Sequence, residues 1–495
     1  MRFYQLLLIL KNKILRLEVI SVFWAAAILT FILLIKPIIG VADNGDFGRI
    51  MGPAGLEHIA EDYRDKYFGY FNREYRITPP ASLYGSYFST EVFLVKLAKM
   101  LNFIFHPYND IFDIRFLSVI YSAILLTALY LIIKVNKPKA LAGGIVLALL
   151  LTLIFTDIGY ISYFNSFYGE ALSLTSFLLV IALAMCLIKQ KTPKTITLIG
   201  FCLAALLLTG AKLQNVPIGI ILSVFSLRFL SLRKDRLWRS TIITFALLLV
   251  LISFKSYLSV PENIRVCNKY QSVFFGVLKD SPSPDSDLKE LGIDRALSVL
   301  AGTNYFMKEY PININDPWLM EEVNINISPF KVSLFYLKHP LRYLEKLHIS
   351  AKHGFKLLQG FGSFEKSENK GYRKVAESFR FWSDFKMNVL PHSLILIVML
   401  FLGYFTVLML KWIRAGSLSE KIHLEILLLI GLIGIVQFII PIIADGEADL
   451  SKHLFLFNMC FDIISVIGVT FIVTLASTYL KRLFNSSIPR LLHPK

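Results

Sequence analysis

The sequence predicts an all-α membrane protein that crosses the bilayer about ten times. Of its 495 residues, 55% are hydrophobic and 18% are charged, and the mean hydropathy is +0.60, whereas soluble proteins carry about 25% charged residues. Apolar runs close to the ~20 residues needed to cross the hydrocarbon recur along most of the chain. The segments between them alternate between rich and poor in Lys and Arg, as the positive-inside rule predicts.

We predict the ten spans from the apolar runs. They lie near residues 18–40, 114–134, 140–159, 169–188, 195–211, 214–232, 240–260, 389–411, 422–444 and 453–480. The first run follows basic residues as in a signal peptide, and Gly40 and Ala42 offer a small-residue cleavage pattern. Because this run is longer than the 7–15 apolar residues of a signal peptide, we interpret it as a span.

Residues 86–105 form an apolar run that we do not count as a span. The run contains Glu91, Lys96 and Lys99, each of which costs roughly 3 kcal/mol at mid-membrane. The pattern favours an amphipathic helix at the membrane interface. A transmembrane course remains the alternative that the sequence alone does not exclude.

The distribution of Lys and Arg predicts the orientation. Basic residues fill 134–139, 189–194, 233–239, 411–421 and the end of the chain from Lys481, whereas the loops 157–170, 211–215 and 445–452 contain only Lys212 and Lys452. This asymmetry predicts a cell-membrane protein with cytoplasmic termini. It also accounts for the net charge of +17 without a nucleic-acid partner.

The predicted orientation divides the chain into five parts. They are a cytoplasmic segment (1–17), an N-terminal transmembrane module (18–260) whose first outside loop (41–113) carries interfacial helices, an extracytoplasmic loop domain (261–388), a C-terminal transmembrane module (389–480) and a cytoplasmic tail (481–495). Within the loop domain, residues 328–360 mix bulky apolar residues with Lys and Arg. This pattern predicts one or two basic amphipathic helices, broken at Pro340, that lie on lipid headgroups. A solvated face of the loop domain is the alternative.

Ionisable residues of the outside loops lie next to span ends, at the height of the lipid headgroups. Acids follow the first span, open the fourth and fill the loop before the tenth, and basic residues accompany them. The acids are Asp43, Asp46, Glu170, Asp445, Glu447 and Asp449; the basic residues are Arg49, Lys212, Lys452 and His453. Because they share one membrane face, we expect them to converge on one polar site.

The transfer of a sugar from a polyprenyl-phosphate donor needs such a site. Cations stabilise the phosphate leaving group, and one carboxylate takes the proton of the attacking hydroxyl. Asp46 or Asp43 is the candidate base, and a single displacement would invert the anomeric centre. Candidate phosphate-binding residues are Arg49, Lys212, Lys452 and His453, and candidate substrate-binding residues are Glu170, Gln214, Asp445, Glu447, Asp449 and Tyr168.

Each of these assignments has a structural alternative. The stretch "DNGD" is also typical of a turn that ends a helix, and its oxygens suit a calcium loop, although the alternating spacing of an EF-hand is absent. Glu170 could act only as an acid at a helix N-terminus, and Lys212 could snorkel to the headgroups. The aromatic side chains just before Glu170 could form an interfacial belt or stack on a sugar; they are Tyr160, Tyr163, Phe164, Phe167 and Tyr168.

This layout resembles the GT-C superfamily of polytopic glycosyltransferases. The stretch "ADNGDFGR" (42–49) matches the acidic motif in their first outside loop, and "ADGEADLSKHLFLFN" (444–458) is similar to their late polar loop. With "YFNSFYGEAL" and "GAKLQNVP", the chain looks most like the bacterial WsfD-like hexose transferases of surface-glycan biosynthesis. The resemblance implies a polyprenyl-phosphate hexose donor and a lipid-linked or surface-glycan acceptor. The acids form D-x-x-D rather than D-x-D, so the need for a divalent cation stays open.

Two other functions compete with a transferase. A transporter or flippase for a lipid-linked or polar substrate would place ionisable groups near the midplane on broken helices, and Lys212 beside Gly210 and Pro217 has that character. A scaffold or sensor would use the 261–388 domain to bind a partner. The sequence does not identify the sugar, the acceptor, the oligomeric state or which of Asp43 and Asp46 is the base.

Overall fold

The computed structural model describes residues 16–81, 87–107 and 109–487, with side chains to residue 483. The predicted cytoplasmic segment 1–17 and the tail 481–495 therefore lie mostly outside the described residues, as does residue 86 of the predicted interfacial segment.

Each of the ten predicted spans is a helix. The long helices are Leu17–Leu33, Arg115–Asn136, Leu141–Phe155, Gly169–Lys189, Thr195–Ala211, Val216–Ser226, Arg236–Leu258, Leu394–Arg414, Leu418–Asp445 and Phe455–Ser487. Among the described residues, seven helices are long and apolar enough to cross a membrane, with Leu213–Ser231 as one continuous segment, and a bent pair raises the number to eight. Leu17–Leu33 and Thr195–Ala211 have 17 residues each, or about 26 Å of helix. The chain is an all-α polytopic membrane protein.

Two spans end well before their predicted bounds. The first helix ends at Leu33 rather than near residue 40; Ile35 just beyond it is exposed, whereas the chain from Ile38 to Ala42 is buried in the protein. The third ends at Phe155, and the short helical segment Ile158–Asn165 bends away by 48°. Both apolar runs therefore continue past the helix because the residues are covered by protein, which hydropathy cannot distinguish from lipid.

Contacts between helix ends define two ends of the bundle. At one end, Lys137 pairs with Glu18 at 3.0 Å, and a guanidinium nitrogen of Arg233 donates to the carbonyl of Pro193 at 2.9 Å. At the other end, the side-chain amide of Asn165 donates to the carbonyl of Leu33 at 3.0 Å. The Lys- and Arg-rich segments thus gather at one end and the predicted outside loops at the other.

The first long loop contains a small sheet as well as helices. Its helices are Gly48–Ala54, Tyr63–Lys66 and Glu91–Phe105, and its antiparallel strands, in spatial order, are Leu56–His58, Glu74–Ile77 and Ile111–Asp113. Tyr75 lies opposite His58 on one side and Phe112 on the other. The sequence analysis did not predict these strands because each has only three or four residues.

The helix Glu91–Phe105 fits the predicted interfacial helix. It has 15 residues and is not among the helices that are long enough to span. Leu94, Val95 and Ala98 are buried on one face, whereas Phe93 and Met100 are exposed on the other. A helix with one face on protein and an exposed apolar face suits the boundary between lipid and headgroups.

The segment 261–388 is helical and packs on the bundle. Its helices are Glu262–Ser272, Pro284–Leu291, Pro317–Asn326, Pro329–Lys338, Pro340–His353 and Phe381–Asn388. The two basic helices predicted around Pro340 are confirmed, and Tyr343 of the second donates to the carbonyl of Ile439 at 3.0 Å. This contact joins the segment to the helix Leu418–Asp445.

The helix Gly169–Lys189 lies at the centre of the bundle. Of its 21 residues, 18 are buried, and its main neighbours are Arg115–Asn136 and Thr195–Ala211. An apolar surface on all sides is typical of a helix surrounded by others. Its N-terminus, which carries Glu170, is therefore the point on which the surrounding loops converge.

Candidate active site

A small, partly open cavity lies where the central helix begins. Its lining comes from five separate stretches of the chain: Asp46, Arg49, Ile50, Tyr87, Glu91, Phe167, Tyr168, Gly169, Glu170, Ala211, Lys212 and Lys452. The cavity has a volume of about 40 Å³, which is more than the ~10–15 Å³ that holds one water. Six of the twelve residues predicted from the sequence line it: Asp46, Arg49, Tyr168, Glu170, Lys212 and Lys452.

Asp46 forms ion pairs with two cations in the cavity. One carboxylate oxygen accepts from Lys452 Nζ, and the other lies 2.9 Å from a terminal nitrogen of Arg49. Burial by itself would raise the pKa of Asp46, but the charges of Lys452 and Arg49 outweigh this effect and lower it. In this arrangement Asp46 is therefore an ionised but weak base.

Lys212 and Glu170 form a second ion pair in the same cavity. Their Nζ and Oε1 atoms are 2.6 Å apart, so Lys212 has a protein partner rather than only headgroups. A Cβ on Gly169 would lie 2.5 Å from Lys212 Cγ and 2.7 Å from the carbonyl oxygen of Ala211. Glycine at this position thus allows the loop 211–215, which contains Lys212, to approach the start of the central helix.

Glu91 is a cavity residue that the sequence analysis missed. Its side chain is fully buried, and Oε1 accepts from the hydroxyl of Tyr121 at 2.8 Å, whereas Oε2 has no hydrogen-bond partner among the residues that the structure describes. From the sequence, Glu91 counted only as a penalty for membrane insertion. The overlooked signal is that an acid within an apolar run is often functional.

Asp43 holds the first loop in shape and does not line the cavity. Its Oδ1 accepts from the backbone N–H groups of Gly45 and Phe47 at 2.7 and 3.1 Å, and its Oδ2 lies 3.1 Å from His58 Nε2. Gly45 has φ of 102°, which favours glycine. The turn reading of "DNGD" thus fits Asp43, although this acid is buried and not solvated.

Tyr168 links the first loop to the central helix. Its hydroxyl lies 3.0 Å from the carbonyl of Ala42 and accepts from the N–H of Asn44 at 2.9 Å. The Nζ of Lys452 is 4.3 Å from the centre of its ring, within the range of a cation–π contact. Tyr168 therefore positions both the acidic loop and Lys452.

The aromatic stretch around Tyr168 is not an interfacial belt. The five rings predicted to form one are at most 3% exposed, because residues 157–168 fold into the bundle. They are Tyr160, Tyr163, Phe164, Phe167 and Tyr168. Phe167 and Tyr168 line the cavity, where a sugar could contact their rings.

Three other predicted residues stabilise the late loop beside the cavity. His453 Nε2 lies 2.9 Å from Asp445 Oδ2, and the carbonyl of His453 accepts from the side-chain amide of Gln214. The carbonyl of Gln214 in turn accepts from Gln437 at 3.1 Å. None of His453, Asp445 and Gln214 is in the lining of the cavity. They lie next to it and connect the loop 211–215 to the late loop.

The two remaining acids of the late loop lie away from the cavity lining. Glu447 is paired with Lys279 and, at 2.6 Å, with Lys346, so it fastens segment 261–388 to the late loop. Asp449 is exposed, with φ of 43°, and its carbonyl begins the turn that leads to Lys452. Within the described part of the chain, no three His, Cys, Asp or Glu side chains are grouped as for a metal ion.

A second buried charged cluster lies elsewhere in the bundle. Lys386 and Asp462 have fully buried side chains and pair at 2.8 Å. Lys386 also donates to Asn458, and the hydroxyl of Tyr160 donates to Asp462 at 2.5 Å. This cluster ties the helix Phe381–Asn388 to Phe455–Ser487.

Comparison with known proteins places the chain in a family. No curated protein matches it. A family model described as the YfdI N-terminal transmembrane domain matches residues 6–487, which is nearly the whole chain and includes all five stretches of the cavity. The chain therefore belongs to the YfdI N-terminal transmembrane domain family.

Proposed function

We propose that the protein is a membrane glycosyltransferase that moves one hexose from a polyprenyl-phosphate donor to a lipid-linked or surface-glycan acceptor, as in GT-C enzymes and most closely the WsfD-like group. The observation that supports this proposal is the convergence of Asp46, Glu170, Arg49, Lys212 and Lys452 on one cavity. These residues supply the base and the phosphate-binding cations that such a transfer needs.

The cations determine where the donor phosphate binds. Arg49 and Asp46 have the more exposed side chains, at 31% and 26%, whereas Lys452 is 8% exposed. A phosphate attached to a long lipid has to stay at the open side of the site, next to Arg49. From there it can also reach Lys212, whose side chain is 19% exposed, and the more deeply buried Lys452.

Donor binding would also activate the base. The phosphate competes with Asp46 for Lys452 and Arg49, the two cations that lower the pKa of Asp46. When they turn to the phosphate, the carboxylate loses their stabilisation and its affinity for a proton rises. The ion pairs of the unliganded site thus keep the base weak until a donor is present.

The reaction is a single displacement. The oxygen of an acceptor hydroxyl attacks the anomeric carbon while Asp46 takes its proton, and the bond from that carbon to the phosphate oxygen breaks. The electron pair leaves with the polyprenyl phosphate, whose growing charge Arg49, Lys212 and Lys452 stabilise. The product has the inverted anomeric configuration.

The predicted topology puts this chemistry on the extracytoplasmic face, because the cavity lies at the end of the bundle opposite the Lys- and Arg-rich segments. A transporter or flippase would instead be expected to bind its substrate near the midplane. The position of the cavity at one end of the helices favours a transferase.

Replacement of the base tests the proposal. In proteoliposomes with a panel of polyprenyl-phosphate hexoses, the Asp46→Asn variant is expected to transfer about 100-fold more slowly than wild type and to bind the donor as wild type does. Asp65→Asn is the matched control, since Asp65 lies in the same loop and pairs with Lys366 at 2.7 Å outside the cavity. Wild-type transfer by Asp46→Asn would refute the assignment of the base, and donor translocation without transfer would favour the flippase.

A further inference from the structure

Glu91 is a fully buried acid at the cavity that the proposed displacement does not use. Within the described residues, its only hydrogen-bonded side-chain partner is the neutral hydroxyl of Tyr121, and its Oε2 atom is buried without a partner. The other two acids of the cavity contact cations: Asp46 pairs with Lys452 and Arg49, and Glu170 pairs with Lys212. A fully buried carboxylate without a contacting cation is strongly disfavoured.

The unpartnered oxygen has a counterpart in the same cavity. Glu170 Oε1 pairs with Lys212, but its Oε2 is also buried and has no partner in the described part of the chain. Native proteins satisfy nearly all of their buried polar atoms, so two such oxygens in one cavity indicate that a polar ligand completes them. Two acids beside each other do not suit a second phosphate; they suit hydroxyl groups.

The burial of Glu91 and Glu170 indicates which part of the donor contacts these two acids. The side chains of Glu91 and Glu170 are at most 1% exposed, whereas that of Arg49 is 31% exposed. If the phosphate stays near Arg49, the sugar extends inward to the two acids. The aromatic rings of Phe167 and Tyr168 line the same space.

We propose that Glu91 is held as a neutral carboxylic acid and donates a hydrogen bond from Oε2 to a hydroxyl of the transferred sugar, while Glu170 accepts one from a second hydroxyl. This assignment rests on the proposed function and deepens it, since it selects a neutral sugar. A negatively charged sugar would meet the carboxylate of Glu170.

The surroundings of Glu91 support the neutral form. Burial raises the pKa of Glu91 to about 8; the hydrogen bond from Tyr121 opposes this, the charge of Glu170 adds to it and the charge of Lys212 opposes it. The other titratable groups that line the cavity are Tyr87, Tyr168, Asp46, Arg49 and Lys452. At neutral pH the acid thus carries a proton that it can donate.

Infrared spectroscopy tests the neutral form without any activity measurement. Purified wild-type protein in detergent should show the carbonyl band of a protonated carboxyl that disappears as the pH rises through about 8, and Glu91→Gln should lack this band. Tyr121→Phe, which removes the partner on the far oxygen, should keep the band. Glu170→Gln should move its midpoint to lower pH. Identical spectra of wild type and Glu91→Gln at neutral pH would overturn the neutral assignment.

Binding of deoxy-sugar donors tests the contact. The probes are a polyprenyl-phosphate hexose and its monodeoxy analogues. Wild type should bind one analogue about tenfold more weakly than the parent, and Glu91→Ala should bind the parent and that analogue equally. Glu91→Gln, which keeps a donor group, should bind the parent more tightly than Glu91→Ala does.

The outcomes separate the two proposals. If Glu91→Ala discriminates among the analogues as wild type does, the sugar contact is refuted while the transferase can stand. If wild type binds no polyprenyl-phosphate hexose, both the contact and the proposed function fail, and the infrared band still decides whether Glu91 is neutral.

Discussion

The buried acid at position 91 makes a quantitative prediction for the pH dependence of stability. Replacement of Glu91 by Gln removes one titrating group and keeps the shape and polarity of the side chain. Burial raises the pKa of Glu91 from its ordinary value of 4.5 to about 8. Between these two values the folded protein holds a proton that the unfolded chain has released.

The sign and the size follow from proton linkage. Because the folded state binds more protons, the contribution of Glu91 to the free energy of unfolding falls as the pH rises from 4.5 to about 8, and above that it stays constant. The fall is about 1.4 kcal/mol per pH unit within this window. From about pH 5.5 to about pH 7.5, Glu91 alone should therefore destabilise wild type by about 2–3 kcal/mol relative to Glu91→Gln.

Unfolding of both proteins in the same detergent, followed by intrinsic fluorescence across this pH range, measures the difference. All other titrating groups are common to the two proteins, so the difference in unfolding free energy isolates Glu91. The stability of Glu91→Gln relative to wild type should grow with pH and level off above about pH 8. Parallel pH profiles would show that Glu91 is ionised in the folded protein and would refute the reasoning.

Other replacements test the remaining contacts. Lys386→Met leaves Asp462 buried without its cation and should cost about 3–5 kcal/mol of unfolding free energy; much of this should return in the double variant with Asp462→Asn, and an undiminished loss there would argue against the pair. Lys452→Ala should weaken polyprenyl-phosphate binding about tenfold or more, and unchanged affinity would remove it from the phosphate site. Asp43→Ala should lower the free energy of unfolding by about 2 kcal/mol, because two backbone hydrogen bonds are lost. A variant that is fully stable but inactive in transfer would instead indicate that Asp43 is the catalytic base. Because cations of the chain balance the phosphate, transfer should survive EDTA, and its loss would show an essential divalent ion.

Hydropathy and charge placed the main elements but not their side-chain contacts. The positions of the ten helices followed from apolar runs, and the common end of the outside loops followed from the alternation of Lys and Arg. Together these two patterns predicted that Asp46, Glu170, Lys212 and Lys452 lie at one height. The pairing of Lys452 with Asp46 depends on lateral packing, which neither pattern contains.

The errors share one physical cause. Hydropathy reports that a residue avoids water but not whether protein or lipid covers it. The rings from Tyr160 to Tyr168 were therefore considered for an interfacial belt, as well as for stacking on a sugar, although they are buried in the interior. For the same reason Glu91 was judged by its cost in lipid, whereas the cost is reduced by burial in protein next to Tyr121.

The charges of the cavity connect the reaction to Glu91. With Glu91 neutral, the cations Arg49, Lys212 and Lys452 exceed the carboxylates Asp46 and Glu170 by one positive charge. A sugar-phosphate diester brings one negative charge, so the donor complex is neutral.

The same balance holds after transfer. The leaving phosphate gains a second negative charge as Asp46 is neutralised by the acceptor's proton, and the sum of charges in the cavity does not change. Ionisation of Glu91 would leave the donor complex and the product complex each with one uncompensated negative charge in a site shielded from water. Donor affinity should therefore fall as the pH rises above about 8 in wild type and stay level in Glu91→Gln, which a binding titration against pH measures. An equal fall in both proteins would place the responsible titration on another group and separate Glu91 from donor binding.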